Sequence, residues 1–486
     1  MFLTENDLIN AKITADSALN ESEILKYVIK EDLDSISKRK MAEGEKYYAY
    51  EHDILKKDFR QSRISETKDD GEGGEKEEIK NFFNPNRSNF HTINGFHRVL
   101  VDQKVSYLLG RKPVIKAVSE DREKGDELEK IIDRKCGEDF NSVLQELVIG
   151  ASNKGFETLH IYYDEKGKLK FTVVPAEEVI PIYDSRYENE LEQLIRYYDT
   201  VIIRNGQKYI RKRVEWWTKD DVTYYVEDDS RNFILDRSIG ANPCPHWWGI
   251  YTEDGYEKTR EAHGWGRVPF IILKNNLRGT TDLEGIKNLI DAYDLISSEG
   301  VNNLSDLVDL YWVIQGYGGE TAAAIAKKLQ INKAVHISDS GGAVEAKQTE
   351  LSMDGRLQFM KMLRRDIFQF GQGVDIDLDR LGNSPSGVSL RYQYTLLDLK
   401  ADSVASRLKK VIKELLRYIV EDYNNENGTD FDSDDLRVSL KKNMITNDYE
   451  TVQMINMSSD LLSKETLLSK HPFVEEIGSE KYESEE

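Results

Sequence analysis

Residues 351–423 read LSMDGRLQFMKMLRRDIFQFGQGVDIDLDRLGNSPSGVSLRYQYTLLDLKADSVASRLKKVIKELLRYIVEDY and decide the fold. In the first part, apolar residues recur every three or four positions, which predicts a helix with one apolar stripe: Leu357, Met360, Leu363, Ile367 and Phe370. This helix should end at the glycines of 371–373, because glycine favours left-handed helix ends. After an irregular loop, a second apolar face continues for about six turns: Leu397, Ala401, Val404, Leu408, Val411, Leu415 and Ile419. The stretch therefore predicts two long helices joined by a loop.

Charge is distributed unevenly along the chain. The whole sequence has 67 Lys and Arg against 88 Asp and Glu, a net charge of −21. That balance disfavours tight, sequence-independent DNA binding by phosphate neutralisation. Between Arg356 and Arg417, however, twelve basic residues stand against seven acidic ones, and Arg356, Lys361, Arg364 and Arg365 lie mostly off the apolar stripe. This surplus fits either two solvated helix faces or a mildly charged lining along which a polyanion could slide.

Composition indicates folded domains with no membrane partner. Hydrophobic residues make up 39% of 486 residues, enough for two to four domain cores, and no apolar run reaches membrane length. The N-terminus lacks the basic and apolar arrangement of a secretory signal, which favours a reducing cytoplasm. Cys136 and Cys244 are far apart in sequence, so we expect buried apolar side chains. Cys244-Pro-His246 has no further ligand at a suitable spacing, and neither a metal nor a cofactor is expected.

The first third of the chain is predicted to be largely helical. Residues 6–50 carry one apolar face: Ile24, Leu25, Val28, Ile29, Leu33 and Ile36. The charged, glycine-rich segment 66–78 contains no apolar residue and is expected to be a mobile surface loop. A helix is predicted over 93–109, followed by a helix pair across 126–153.

Between 155 and 274 the apolar period changes from 3.6 to 2. Segments 158–163 and 169–174 flank a turn sequence and predict a β-hairpin, with further strands around Tyr197, Val214 and Tyr224. Five of the six tryptophans lie in this region. They could form a base-stacking platform, but packing within an antiparallel sheet is the better interpretation.

The region from 281 to the end begins with a capping box. Thr281-Asp-Leu-Glu284 should open a long amphipathic helix that runs to about residue 308. A small βαββ insert follows, with a strand over 311–315, a helix over 321–329, and strands through Val335 and Val344. From residue 424 the chain is polar and is predicted to be helical in pieces.

Catalytic motifs are mostly missing from the sequence. It contains no phosphate-binding loop of the Gly-x-x-x-x-Gly-Lys-Ser/Thr type, no Gly-x-Ser-x-Gly elbow and no His-Glu-x-x-His pair. Asp375-Ile-Asp-Leu-Asp379 resembles the start of a calcium loop, but Arg380 stands where that loop needs glycine and Ser386 where it needs glutamate. Two alternatives stay open: a cytosolic metal-dependent enzyme that uses Asp375, Asp377 and Asp379, and an oligomeric scaffold.

Several segments are similar to the portal proteins of siphophages that infect Gram-positive bacteria. They occur in family order over most of the chain: Asn94–Gly110, Pro175–Pro181, Asp366–Val374, Gly387–Arg391, Leu396–Asp402 and Ser463–Pro472. The resemblance implies an α+β subunit that assembles into a ring. It divides the chain into a mixed α/β wing (1–280), a stem helix (281–308), a small clip (309–350), a second stem helix (351–373), a tunnel loop (374–387), a long wing helix (388–424) and a helical crown (425–486).

The resemblance also implies a non-enzymatic function. Such a ring, expected to be a dodecamer, sits at the capsid vertex of the virion and is assembled in the host bacterial cytoplasm. Double-stranded DNA passes through it during packaging by the terminase and later ejection, and the other partners are the head-tail adaptor and the major capsid and scaffolding proteins. The residues expected on the tunnel loop are Asp375, Asp377, Asp379, Arg380, Asn383 and Ser384, and the candidates to line the stem of the channel are Arg356, Lys361, Arg364 and Arg365.

Overall fold

A computed structural model provides the fold. It describes residues 3–4, 7, 21–69, 75–85, 87–119, 121–186, 190–253, 256–306, 310–315, 343–348, 353–375, 387–443, 448–459, 467–468, 471 and 474. The helices within these ranges are α1 (Glu21–Leu33), α2 (Ile36–Tyr48), α3 (Phe96–Leu109), α4 (Arg122–Cys136), α5 (Phe140–Lys154), α6 (Lys287–Asp306), α7 (Met353–Phe370), α8 (Gly387–Asn427) and α9 (Asp448–Met457).

The strands are mostly short and lie in several sheets. They are β1 (Leu3–Thr4), β2 (Gln61–Asp69), β3 (Glu75–Phe83), β4 (Val114–Ala117), β5 (Phe156–Tyr163), β6 (Leu169–Val174), β7 (Val179–Tyr183), β8 (Leu191–Arg204), β9 (Gln207–Trp217), β10 (Asp221–Glu227), β11 (Phe233–Leu235), β12 (Cys244–Pro245), β13 (Trp247–Glu253), β14 (Tyr256–His263), β15 (Phe270–Lys274), β16 (Leu310–Gln315), β17 (Ala343–Gln348) and β18 (Leu436–Ser439). Helices and sheets are thus both present, as the α+β prediction requires.

The chain divides into two compact units. The first comprises Met1–Tyr48, His97–Glu284 and Gln372–Glu486, and the second comprises Ala49–Phe96 and Gly285–Gly371. The first unit contains a sheet in the order β1-β7-β8-β9-β10-β11, with β12 also paired to β10, and a separate sheet in the order β15-β5-β6. Two-stranded sheets β13-β14 and β18-β4 complete it.

The main core of the first unit surrounds α8. The predicted apolar face of this helix is confirmed, because every one of its seven residues is buried. They pack into one cluster with apolar side chains of α3, α4, α5 and β5. Since a face of this length needs a partner along its whole course, the surrounding helices and sheet follow from it.

Several predictions for the first unit are confirmed and one is too simple. The hairpin of β5 and β6 has the expected pairing, from Thr158 opposite Val174 to Tyr163 opposite Leu169. The N-terminal apolar face is buried only as far as Ile29, and Leu33 and Ile36 are exposed. Leu33 is the last residue of α1, and Ile36 lies beyond the break between α1 and α2, where it no longer continues the same face.

The second unit contains α6, α7 and two hairpins. Helix α7 ends as predicted, with the backbone N–H of Gly371 donating to the carbonyl of Ile367. Helix α6 begins at Lys287, later than the capping box suggests. Strands β16 and β17 pair antiparallel, which agrees with the strands predicted at 311–315 and through Val344. The predicted helix over 321–329 and the strand through Val335 lie outside the described residues.

The prediction of an unstructured loop over 66–78 is wrong for most of that segment. Strands β2 and β3 pair antiparallel from Gln61 opposite Phe83 to Asp69 opposite Glu75. Backbone hydrogen bonds are available to any residue except proline, so a charged sequence without apolar periodicity can still form a hairpin. Among the helices that the structure describes, none combines the length and apolarity that a bilayer crossing needs.

Candidate functional site

The four basic candidates on α7 do not form one group. Lys361, Arg364 and Arg365 are exposed, whereas Arg356 is half-buried. At roughly 100° per residue, Arg356 lies on the side of the helix that carries the buried Leu363. Its guanidinium lies beside Gly300 of α6, where an added Cβ would be 3.3 Å from the Arg356 Nη1 atom. The structure therefore separates Arg356 from the other three.

The apolar stripe predicted on α7 is buried only in its middle. Leu363 and Ile367 are 4% and 0% exposed, while Leu357 and Phe370 at its two ends are 52% and 62% exposed. Phe359 and Met362 are also exposed. Large apolar side chains left open in this number on one helix are typical of an interaction surface.

The polar residues of α7 form a separate stripe. Exposed side chains recur at the spacing of one helix face, at Asp354, Gln358, Lys361, Arg365 and Gln369. This face carries one acidic and two basic residues. Its residues sum to a charge of +1, although the Arg365 guanidinium is paired with the neighbouring Asp366 carboxylate at 3.2 Å.

Most of the predicted tunnel-loop residues lie outside the described residues. These are Asp377, Asp379, Arg380, Asn383 and Ser384. Asp375 is described and is half-buried. Directly before it, Val374 is 5% exposed and belongs to the main core of the first unit.

Helix α3 supplies polar contacts to three distant segments of the first unit. Gln103 bonds to the backbone of Val374, and the hydroxyl of Tyr107 donates to Asp398 of α8 at 2.7 Å. Between them, the Lys104 ammonium donates to Asn275 at 2.9 Å and to Asp282 at 2.6 Å. One short helix therefore fixes the chain on both sides of the loop and at the approach to α6.

The Lys104 contact is a buried ion pair with a second cation. Lys104 is fully buried, and Lys400 of α8 lies 3.1 Å from the same Asp282 oxygen. Burial lowers the pKa of Lys104 to about 8, although Asp282 opposes this shift. Burial alone would raise the pKa of Asp282, but the two ammonium groups outweigh it and hold that pKa well below its ordinary value. The carboxylate is charged at neutral pH and joins α3 to α8.

A polar ladder along α6 was missed by the sequence analysis. We use "ladder" for four α6 side chains, spaced by four residues, that accept hydrogen bonds from alternate backbone N–H groups of 88–94. The pairs are Asp294 with Asn94, Ser298 with Thr92, Asn302 with Phe90, and Asp306 with Ser88. All four distances lie between 2.7 and 2.9 Å. A polar residue at every fourth position of an otherwise amphipathic helix is the signal that could have revealed it.

The tryptophan region does not form a nucleic-acid platform. Trp217 and Trp265 are buried, which confirms their packing role. Trp247 and Trp248 line a cleft of about 1270 Å³ whose other walls include Asp422 and Glu426. Both carboxylates are paired with the Lys135 ammonium, at 2.9 and 3.0 Å.

Among the residues that the structure describes, Cys244 and His246 do not belong to a group of potential metal ligands. Cys244 pairs with Val222 in the β10–β12 ladder, and His246 Nδ1 accepts the backbone N–H of Trp265 at 3.2 Å. Within the described ranges, Asp184, Glu190 and Glu192 bring carboxylate oxygens within 4.8 Å of one another. Acidic groups near the surface often approach in this way without an ion, so the trio is not assigned a function.

Comparison with protein families gives a match over nearly the whole chain. The family described as "Phage portal protein, SPP1 Gp6-like" matches residues 26–486. The portal protein of Bacillus phage SPP1 is 29% identical over 469 residues, which cover 96% of this chain and 87% of that protein. The portal protein of Clostridium phage phiCD119 is 27% identical over 465 residues, with 91% of each chain covered.

Among solved structures, the chain is similar to a subunit in the neck of the native GTA particle computed with C12 symmetry. The similarity has a TM-score of 0.41 and 11% sequence identity, and it covers 77% of this chain and 88% of that one.

Proposed function

This chain belongs to the SPP1 Gp6-like family of phage portal proteins, and from that premise we propose that its copies close into a ring around a channel for double-stranded DNA. The ring is expected to hold twelve subunits and to occupy one vertex of the capsid. Its role is structural, since conducting DNA and docking partners require no catalytic residue. A closed ring needs two different complementary surfaces on each subunit, one on either side.

The observation that carries this proposal is the division of α7 into faces. Leu363 and Ile367 are buried within the second unit, the polar stripe is open, and Leu357, Phe359, Met362 and Phe370 remain exposed beside it. In a ring, the polar stripe would face the channel and the exposed apolar side chains would pack on neighbouring subunits. An isolated subunit gains nothing from leaving these side chains in water.

The charge of the polar stripe favours the sliding of DNA over its tight binding. Lys361 and Arg365 attract phosphate, while Asp354 repels it. Screening limits such contacts to roughly 8 Å at physiological salt. A weakly positive lining in an acidic protein would keep DNA centred without holding it, and Arg356 is not part of this lining because it lies beside Gly300.

The tunnel loop is proposed to make the narrowest contact with DNA. Its residues are Asp375, Asp377, Asp379, Arg380, Asn383 and Ser384. Carboxylates there would repel phosphate, and Arg380 would attract it. Alternating weak contacts favour sliding, so Asp375→Ala combined with Asp377→Ala should change DNA packaging or ejection while rings still form. Normal packaging by this double variant would contradict a role for the loop's charge.

The proposed partners follow from the place of such a ring in the virion. The terminase would dock during packaging, and the head-tail adaptor would later bind the clip formed around β16 and β17. The major capsid and scaffolding proteins would meet the outer surface. Assembly is expected in the host cytoplasm, before the particle is complete.

Electron microscopy of the purified protein, with its mass in solution, tests the ring. Wild-type protein should give rings with an axial hole wide enough for a duplex of roughly 20 Å. Leu357→Asp combined with Phe359→Asp should give folded monomers, because a buried carboxylate at a subunit interface is strongly unfavourable.

The matched control for this variant places the same charge on the polar stripe. Gln358→Asp combined with Gln369→Asp adds two carboxylates at exposed positions of the same helix and should leave the rings intact. Equal loss of rings in the control would contradict the assignment of faces. A wild-type protein that stayed monomeric, alone and with its scaffolding protein, would contradict the proposed function itself.

A further inference from the structure

The side-chain amide of Gln103 forms two hydrogen bonds with the backbone of Val374, as a neighbouring β-strand would. Its Nε2–H donates to the carbonyl of Val374 at 2.8 Å, and the N–H of Val374 donates to its Oε1 at 3.0 Å. A primary amide can do this because it presents one donor and one acceptor side by side. Val374 is also nearly buried in the core. The chain is therefore held at the residue where the predicted tunnel loop begins.

Tyr107 holds helix α8, which follows the predicted loop. Its hydroxyl donates to Asp398 of α8 at 2.7 Å, and its ring stacks on Tyr394 with centroids 5.8 Å apart and an interplanar angle of 22°. The ammonium of Lys442 donates to the same Asp398 oxygen. Tyr107 is 4% exposed, whereas the Asp398 side chain is 43% exposed, so the hydroxyl contact lies at the edge of the buried region.

These two contacts come from adjacent positions on one helix. Gln103 and Tyr107 are four residues apart on α3, so their side chains share a face and lie about one helical turn from each other. The chain that leaves α3 at Val374 thus returns to it at Tyr394, close to its point of departure.

We propose that Gln103 and Tyr107 are positioning residues: Gln103 holds the start of the predicted tunnel loop on α3, and Tyr107 holds α8, the helix that follows the loop, in its N-terminal third. The described residues on either side of the loop would then keep fixed positions on α3 while DNA passes. This inference rests on the proposed function, because only that function places residues 374–387 in a DNA channel.

The shape of the contact argues for positioning beyond simple packing. An apolar side chain at 103 could fill the same space, but it could not distinguish Val374 from its neighbours along the chain. The paired donor and acceptor of the amide match the N–H and C=O of one residue only. Register is therefore specified by hydrogen bonds, whose geometry is narrow.

Hydrogen-deuterium exchange of the assembled protein tests the inference directly. Gln103→Met keeps the length of the side chain and removes both hydrogen bonds. The Val374 amide should then exchange about three- to tenfold faster, which is the factor for one neutral hydrogen bond. Ser106→Ala, at an exposed position of the same helix, is the matched control and should leave the rate unchanged.

Gln103→Glu separates positioning from packing. A protonated carboxyl presents one donor and one acceptor, as the amide does, whereas a carboxylate only accepts. After correction for intrinsic exchange, protection at Val374 should be low near pH 8 and should return as the pH falls toward that of carboxyl protonation. The wild type should show no such return. A pH-independent rate in Gln103→Glu would overturn the positioning role.

The second readout is the amount of DNA packaged into capsids. Gln103→Met with Tyr107→Phe should form rings of wild-type mass yet package less DNA, with the doubly changed protein more affected than either single variant. Faster exchange at Val374 with wild-type packaging would overturn the inference while leaving the portal function intact. Failure of the wild type itself to form rings or to support packaging would instead count against the proposed function.

Discussion

The Nδ1 atom of His52 lies 2.6 Å from Oδ2 of Asp294, and both side chains are fully buried in the second unit. The other oxygen of Asp294 accepts the backbone N–H of Asn94 and its side-chain amide, at 2.9 and 2.8 Å. One carboxylate therefore joins α6 to His52 and to Asn94, which precede it by 242 and 200 residues.

Asp294→Ala should destabilise the second unit by about 3–5 kcal/mol, because it removes the carboxylate that contacts the buried His52 and the half-buried Asn94. Thermal and urea unfolding would measure the change in free energy. Asp294→Asn keeps one acceptor and should have a smaller effect. Ser305→Ala, which removes an exposed hydroxyl on the same helix, should stay within about 0.5 kcal/mol of wild type. A similarly small change for Asp294→Ala would contradict the importance of this carboxylate.

Lys38 offers a test in the first unit. Its ammonium donates to the carbonyls of Ala176, Glu177 and Val179 at 2.7, 2.8 and 3.1 Å, and it lies 3.1 Å from Asp32. Burial lowers its pKa, although Asp32 opposes this shift. Lys38→Met should destabilise the protein by about 3–5 kcal/mol, since three carbonyls and a carboxylate lose their donor.

The control for Lys38 is Lys30→Met, at an exposed position of α1. Its effect on the free energy of unfolding, measured in urea, should be within about 0.5 kcal/mol. If the two substitutions changed the free energy of unfolding equally, the hydrogen bonds from Lys38 would make no net contribution to stability.

Two helix-ending glycines should respond differently to alanine. Gly137 and Gly155 both have positive φ, 71° and 90°. An added Cβ at Gly137 meets nothing within 4 Å, whereas at Gly155 it would lie 2.2 Å from the carbonyl oxygen of Gly279. Gly137→Ala should cost about 1–3 kcal/mol for the backbone conformation alone, and Gly155→Ala should cost more, because the added Cβ also clashes with backbone. Unfolding midpoints in urea would show the difference, and equal effects would argue against a close approach of the two backbones.

His160 predicts a loss of stability in acid. It is 8% exposed, and its burial lowers its pKa to about 4, with the nearby Arg196 and His246 acting in the same direction. Because the unfolded chain binds this proton below an ordinary pKa of about 6.5, stability is complete above that pH and falls as the pH drops toward 4. The slope for this group approaches roughly 1.4 kcal/mol per pH unit.

His160→Gln should reduce that slope by up to the same amount, as measured by unfolding free energy at several pH values from 7 to 4. Thr172→Ala changes the residue opposite His160 on β6 and adds no titrating group, so it serves as the control. An unchanged slope in His160→Gln would assign the acid sensitivity to other groups.

Sustained periodicity is what made part of the fold predictable. The face of α8 repeats over many turns, and no other arrangement buries it, so local sequence and tertiary packing agree. The β5–β6 hairpin was predictable because its turn lies between two alternating segments.

Long-range pairing was not predictable from the sequence. Strand β4 pairs with β18, from Val114 opposite Ser439 to Ala117 opposite Leu436. Neither strand is long enough to carry a pattern, and more than 300 residues separate them. This pairing also places part of the predicted crown in the same unit as the wing segments.

The candidate site was predictable in composition but not in geometry. The basic residues of α7 could be named from the sequence, yet the sequence could not show that Arg356 lies beside Gly300. The contacts of Gln103 and Tyr107 were hidden for a different reason. Each depends on where a distant segment crosses α3, and a single polar residue in a helix has no periodic signal.

The two sides of the ladder on α6 have slightly different spacings. Four residues of a helix advance about 6.0 Å, whereas two residues of an extended chain advance about 6.7 Å. The mismatch is about 0.7 Å per step, and the side chains absorb it, since all four hydrogen bonds lie between 2.7 and 2.9 Å. The four hydrogen bonds fit one alignment of the segment on α6, and His52 contacts Asp294 at one end of the ladder. Hydrogen bonds thus fix which residue of 88–94 lies opposite each ladder residue of α6, and no apolar side chain is needed to specify this register.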